Sequence, residues 1–137
     1  MTSTHYDRVK QFLSDLALDV STDDRAGGLM VVSDEAEGIL NLMVVFEEQS
    51  ITLAQHILNL ADPADAAALA RLLQLNNLLP HGAFALDDTG ARVIWRDTLE
   101  LETLDFEELA ASVHALSLAM AEHGAELAGF AQLTAAA

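Results

Sequence analysis

The chain has 137 residues, 22 of them acidic and 6 basic, with no cysteine, 52% hydrophobic residues and a formal net charge of −16. That length predicts a single domain over residues 1–137, with a core large enough to need no metal or disulfide staple. The charge excludes phosphate backbones and anionic lipid surfaces as partners, and the apolar content excludes an acidic disordered tail.

The opening Met1-Thr2-Ser3-Thr4-His5-Tyr6-Asp7-Arg8 lacks the basic-then-apolar order of a secretory signal. No stretch approaches the ~18 uninterrupted apolar residues that span a bilayer. A soluble, cytoplasmic protein is the expectation. Thr4 to Leu18 reads as an amphipathic helix, because Tyr6, Val9, Phe12, Leu13 and Leu16 recur at three- and four-residue spacing. Thr4 is the expected N-cap, and Asp7 lies in the first turn, where the helix dipole favours negative charge. Ser21 to Gly28 reads as a polar loop broken at Gly27-Gly28.

Three strand-like runs follow: Leu29 to Ser33, Glu37 to Glu48 and Ser50 to Leu60. In the middle run, Leu40, Leu42, Val44 and Phe46 alternate with Ile39, Asn41, Met43 and Val45, so both faces are apolar. The polar breaks at Asp34-Glu35-Ala36 and Glu48-Gln49 are short enough for an antiparallel meander. A sheet covered by helices on one side only then leaves an apolar face open. Asp62-Pro63 is the expected entry to a second helix running from Ala64 to Leu79. Leu69, Leu72, Leu73 and Asn76 form its stripe, widened by Leu75, Leu78 and Leu79 and stopped by Pro80-His81-Gly82.

A hairpin comes next, from Ala83 to Leu86 and from Ala91 to Arg96 around Asp87-Asp88-Thr89-Gly90. Leu99 and Leu101 suit a further short strand segment. Asp105 with Glu108 three residues later forms a capping box for the last helix, and Leu104 with Leu109 forms its hydrophobic staple. Phe106, Leu109, Val113, Leu116, Met120, Leu127 and Phe130 supply its apolar stripe. Gly124 and Gly129 predict an end or bend near His123, and Thr134 to Ala137 reads as frayed.

No catalytic or ligand-binding motif accompanies this pattern. The histidines His5, His56, His81, His114 and His123 make no close cluster, and Glu122 and Glu126 near His123 read as solvated helix residues. The pairs Asp23-Asp24, Glu47-Glu48, Asp87-Asp88 and Glu107-Glu108 suit turns and helix starts rather than convergent acid/base chemistry. Phosphate-binding glycine loops and serine or cysteine nucleophile motifs are absent from the sequence. The basic residues Arg8, Lys10, Arg25, Arg71, Arg92 and Arg96 are scattered, which gives no basis for nucleic-acid binding. A non-enzymatic protein with no cofactor and no metal is expected.

The order helix, three strands, helix, two or three strands, helix resembles the small acidic homodimeric chaperones of type III secretion, the Tir-chaperone or CesT-like family. Leu72-Leu73-Gln74-Leu75-Asn76-Asn77, Ala83-Phe84-Ala85-Leu86-Asp87-Asp88-Thr89-Gly90, Val93-Ile94-Trp95-Arg96 and Leu104-Asp105 carry the likeness. It implies an α+β sandwich, α-β-β-β-α-β-β-α, in which helices pack on an antiparallel twisted sheet. It also implies a homodimer that wraps an extended N-terminal segment of a secreted effector around apolar patches. By position, the implied dimer interface is Leu69, Leu72, Leu73, Asn76, Phe84 and Leu86. The candidate cargo surface is Phe12, Leu13, Leu16, Leu29, Val31, Leu42 and Val44. For each of these residues taken singly, packing in the core is the competing reading. Chaperone-like domains of the YbjN type share this fold, so a regulatory or scaffold protein binding a folded partner is the alternative.

Overall fold

A computed structural model describes residues 3–131. Helix α1 covers Ser3–Asp15. Strands β1 (Asp19–Asp24), β2 (Leu29–Asp34), β3 (Ile39–Phe46) and β4 (Ser50–Asn59) follow. Helix α2 spans Ala66–Asn76, strands β5 (Ala83–Leu86) and β6 (Arg92–Glu100) form the hairpin, and α3 runs from Phe106 to Ala128. One six-stranded sheet results, in the order β1-β2-β3-β4-β6-β5, with every neighbouring pair antiparallel.

The α+β class and the helix-on-sheet arrangement are as expected, with local corrections. The segment read as a loop from Ser21 begins inside β1, whose last four residues it holds; the strand pairs with β2 from Asp19↔Ser33 to Asp24↔Leu29. Its sequence, DVSTDD, lacks the apolar alternation of a half-buried strand because β1 is an edge strand. Helix α1 begins at Ser3, so Thr4 lies inside it, and it ends at Asp15 rather than Leu18. Ala17 takes the left-handed conformation, φ 60°, while the Leu18 amide donates to the Leu13 carbonyl and the Ala17 amide to that of Ser14. This is a Schellman ending, sealed by the buried Leu13 and Leu18.

Asp65, not Asp62, caps α2, its carboxylate accepting from the Ala67 amide at 2.9 Å. Helix α3 is capped as expected by Asp105, which accepts from the Glu108 amide at 2.8 Å, but it continues through Gly124 to Ala128. Leu99 belongs to β6, while Leu101 follows it and is fully buried. The tail from Thr134 to Ala137 lies outside the described residues.

The sheet is covered on one face. Met30, Val32, Leu42, Val44, Phe46, Ile51, Leu53, Val93 and Trp95 point into the core with Tyr6, Val9 and Leu13 of α1 and Leu109, Val113 and Leu116 of α3. Tyr6 packs against Phe46 with the rings tilted by 39° and their centroids 4.8 Å apart, and Phe12 meets the edge of Phe106 at 5.9 Å. The expected alternation in β3 changes phase at Asn41, whose φ of 51° turns Ile39 inward and leaves Leu40 exposed. Asparagine is among the few side chains that adopt this conformation readily.

Candidate interaction surfaces

Cross-strand partners share a face, so the pairing register identifies what lies opposite the helices. Leu29 pairs with Val45 and Val45 with Thr52; Val31 pairs with Met43 and Met43 with Ala54. Farther along, His56 pairs with Ile94 and Ile94 with Ala85. These side chains are half-buried or exposed, Met43 at 42%. The result is an open sheet face with an apolar middle. On the adjoining edge strand β1, Asp19, Asp23 and Asp24 are all exposed.

The cargo set read from the sequence divides on this fold. Leu29 and Val31 lie on the open face. Leu42 and Val44 point the other way and are fully buried, so the β3 side chains available on the open face are Met43 and Val45. Leu13 is also fully buried, whereas Phe12 and Leu16 are half-buried on α1, across the sheet from Leu29 and Val31. Periodicity gives two alternating sets in a strand that is apolar throughout; only the position of the helices decides which set is covered.

A second surface lies between α2 and β5. Leu69, Leu72, Leu73, Phe84, Ala85 and Leu86 line a groove of about 330 Å³. Leu73 is 73% exposed and Leu86 44%. Five residues of the expected interface set therefore converge here. The sixth, Asn76, turns its carboxamide onto the β5 backbone: its Oδ1 accepts from the Phe84 amide at 2.7 Å and its Nδ2 donates to the Phe84 carbonyl at 3.0 Å. Arg71, on α2, grips Glu126 of α3 through two hydrogen bonds of 2.7 and 3.1 Å. That contact holds the Glu126 carboxyl below the usual glutamate range.

The two ends of the sheet differ electrostatically. No ionisable side chain lines the α2–β5 groove. Three other clefts are acid-bearing: Glu48, Glu100 and Glu102 line one, Glu35 and Glu37 a second, and Asp65 a third. At the β1 end, Lys10 bonds Asp23 at 2.6 Å, the Tyr6 hydroxyl donates to the same carboxylate, and Arg25 pairs with Asp7 while lying 4.7 Å over the Tyr6 ring. The hydrogen bond from Lys10, then that from Tyr6, holds the Asp23 carboxyl below the usual aspartate range. Burial, reinforced by Asp23, pushes the Tyr6 hydroxyl well above its ordinary value. Among the described residues no cluster of histidine, aspartate and glutamate has an arrangement able to hold a metal ion, and no helix is long and apolar enough to cross a membrane.

The sequence matches the CesT_Tir_1 family over residues 2–133. No curated relative matches it significantly. Among solved structures, YbjN from E. coli, a candidate transcription regulator, superposes with a TM-score of 0.62 at 15% identity, covering 88% of this chain and 92% of that one. The HopA1-SchA chaperone-effector complex contains a chain that matches with a TM-score of 0.62 at 15% identity, over 89% of this chain and 96% of the other. A chain from the Yersinia pestis complex of the type III secretion chaperone SycH with a fragment of YscM2 gives 0.59 at 16% identity, covering 90% and 98%. At such identities these likenesses establish the fold.

Proposed function

This chain belongs to the CesT_Tir_1 family of type III secretion chaperones, and from that premise we propose that it is a non-enzymatic, cytoplasmic effector chaperone acting as a homodimer. One observation carries the reading: large apolar side chains remain exposed in two places, Met43 on the open sheet face and Leu73 with Leu86 at the α2–β5 groove, whose floor of Leu72 and Phe84 belongs to the core. Contiguous apolar surface of this kind marks interaction sites.

Charge supports different occupants for the two places. A second copy brings another −16, so self-association favours the groove, whose lining carries no charge. An extended cargo segment with basic residues favours the open face, where Leu29, Val31, Met43 and Val45 adjoin the acidic edge strand β1. Strand addition along β1 adds main-chain hydrogen bonds to those apolar contacts.

The test combines light scattering with co-expression of the N-terminal region of an effector encoded beside this gene. The wild type is expected at twice the 14.7 kDa chain mass. Leu73→Glu is expected to yield a monomer, and Met43→Glu to release the cargo without changing the dimer. A wild-type monomer that binds no extended segment contradicts the proposal.

The structural likeness to YbjN supports a second reading, a regulatory protein of the same fold that binds a folded partner. Protease digestion of the complex separates the two readings, because a chaperone's cargo segment is held extended and is cut readily once released, whereas a folded partner resists.

A further inference from the structure

We propose that Asn76 is a specificity-determining residue that closes the β5 edge of the sheet, so that a second copy seats on the α2–β5 groove through side chains alone and assembly stops at two chains. The inference rests on the dimer reading above and concerns how that interface is limited.

A sheet edge presents the outward amides and carbonyls of alternate residues. In β5 the Asp87 amide points inward, donating to the Arg92 carbonyl at 3.0 Å. Phe84 and Leu86 are therefore the outward residues of this four-residue strand. Asn76 occupies both outward groups of Phe84 with one carboxamide, at 2.7 and 3.0 Å. That side chain copies the donor and acceptor of one residue in an adjacent strand, with the chain direction blocked by the end of α2. One outward residue, Leu86, is left, too few for a ladder. Helix α2 thereby supplies both the apolar wall of the groove and the plug on its edge.

The opposite edge, β1, is protected by charge, from the exposed Asp19 and Asp24. The two edges consequently discriminate differently. A basic extended chain is admitted at β1, and no strand of either charge at β5. Without the Asn76 plug, the groove contact between two copies leaves each β5 open to a third.

The test is Asn76→Ala, which leaves every groove side chain in place. Light scattering over a range of concentrations is expected to show species larger than a dimer that grow with concentration, while the wild type holds one mass. Hydrogen exchange on the wild type gives a second, independent readout, with the Phe84 amide expected to exchange at least ~100-fold more slowly than an unprotected amide. That measurement decides the matter if Asn76→Ala does not fold. The combination Leu73→Glu with Asn76→Ala distinguishes the two ideas. If Leu73→Glu alone remains a dimer, the groove reading fails while the edge test still stands; concentration-dependent growth of the double variant then supports closure by itself. An Asn76→Ala protein whose mass matches the wild type at every concentration, or a freely exchanging Phe84 amide, overturns the proposal.

Discussion

At the scale of single residues, backbone conformation makes demands that hydrophobic patterning does not express. Ala17 holds φ 60° at the end of α1, a conformation that costs an L-residue about 1 kcal/mol. Ala17→Gly is expected to raise stability by roughly 0.5 kcal/mol or more in denaturant unfolding, since glycine is at home there and the Leu13–Leu18 seal is untouched. Gly82 and Gly90 share a positive φ near 73° but differ in surroundings. A Cβ on Gly82 lies 2.4 Å from the Trp95 ring, whereas one on Gly90 meets nothing within 4 Å. Gly90→Ala is therefore expected to cost about 1 kcal/mol, the conformational part alone. Gly82→Ala adds a clash with a fully buried indole and is expected to cost about 3 kcal/mol or more. Equal losses for the two variants in urea titrations contradict that account.

At the scale of elements, β1 shows how a strand forms without strand-like sequence. Its pairing comes from β2, and its outer flank is fastened to α1 through Asp23, which receives hydrogen bonds from Lys10 and Tyr6. Because these partners lower the Asp23 pKa in the folded chain, its contribution is present above the unfolded aspartate value of ~3.9 and disappears as pH falls through the lower folded value. The stability difference between wild type and Asp23→Asn is expected to stay constant from neutrality down to about pH 5 and to close below about pH 4. The Tyr6 hydroxyl has the opposite sign: its raised pKa gives a contribution present below ~10 and lost as pH climbs through the higher folded value. Tyr6→Phe removes that hydroxyl bond, worth about 1 kcal/mol, and is expected to speed amide exchange in β1 before the rest of the sheet. Uniform acceleration across all six strands contradicts the assignment of this contact to the β1 edge.

At the scale of the molecule, the −16 charge gives the two proposed contacts opposite responses to salt. Screening weakens repulsion between like-charged copies, so raising ionic strength is expected to tighten the dimer. It also weakens attraction to a basic extended segment, so cargo affinity is expected to fall over the same range, mainly through slower association. Parallel titrations by light scattering and fluorescence anisotropy read both effects, and matching slopes contradict the division of labour between groove and open face.

The order of elements after β1, the α3 cap at Asp105 and the leucine stripe of α2 were all determined by the sequence, because periodicity and capping are local properties of the chain. The residues from Leu72 through Leu86 likewise carried the family likeness and the convergent side of the groove. Three matters belonged to the tertiary structure. Strand β1 exists because β2 offers it an edge, which its own polar residues do not announce. Met43 and Val45 rather than Leu42 and Val44 face outward because α1 and α3 pack on one side only, a fact outside the reach of a period-two pattern. The pairing of Asn76 with the Phe84 backbone arises where the end of a helix meets the edge of a sheet, and a carboxamide in a leucine stripe carries no sign of its partner until the chain has brought the two together.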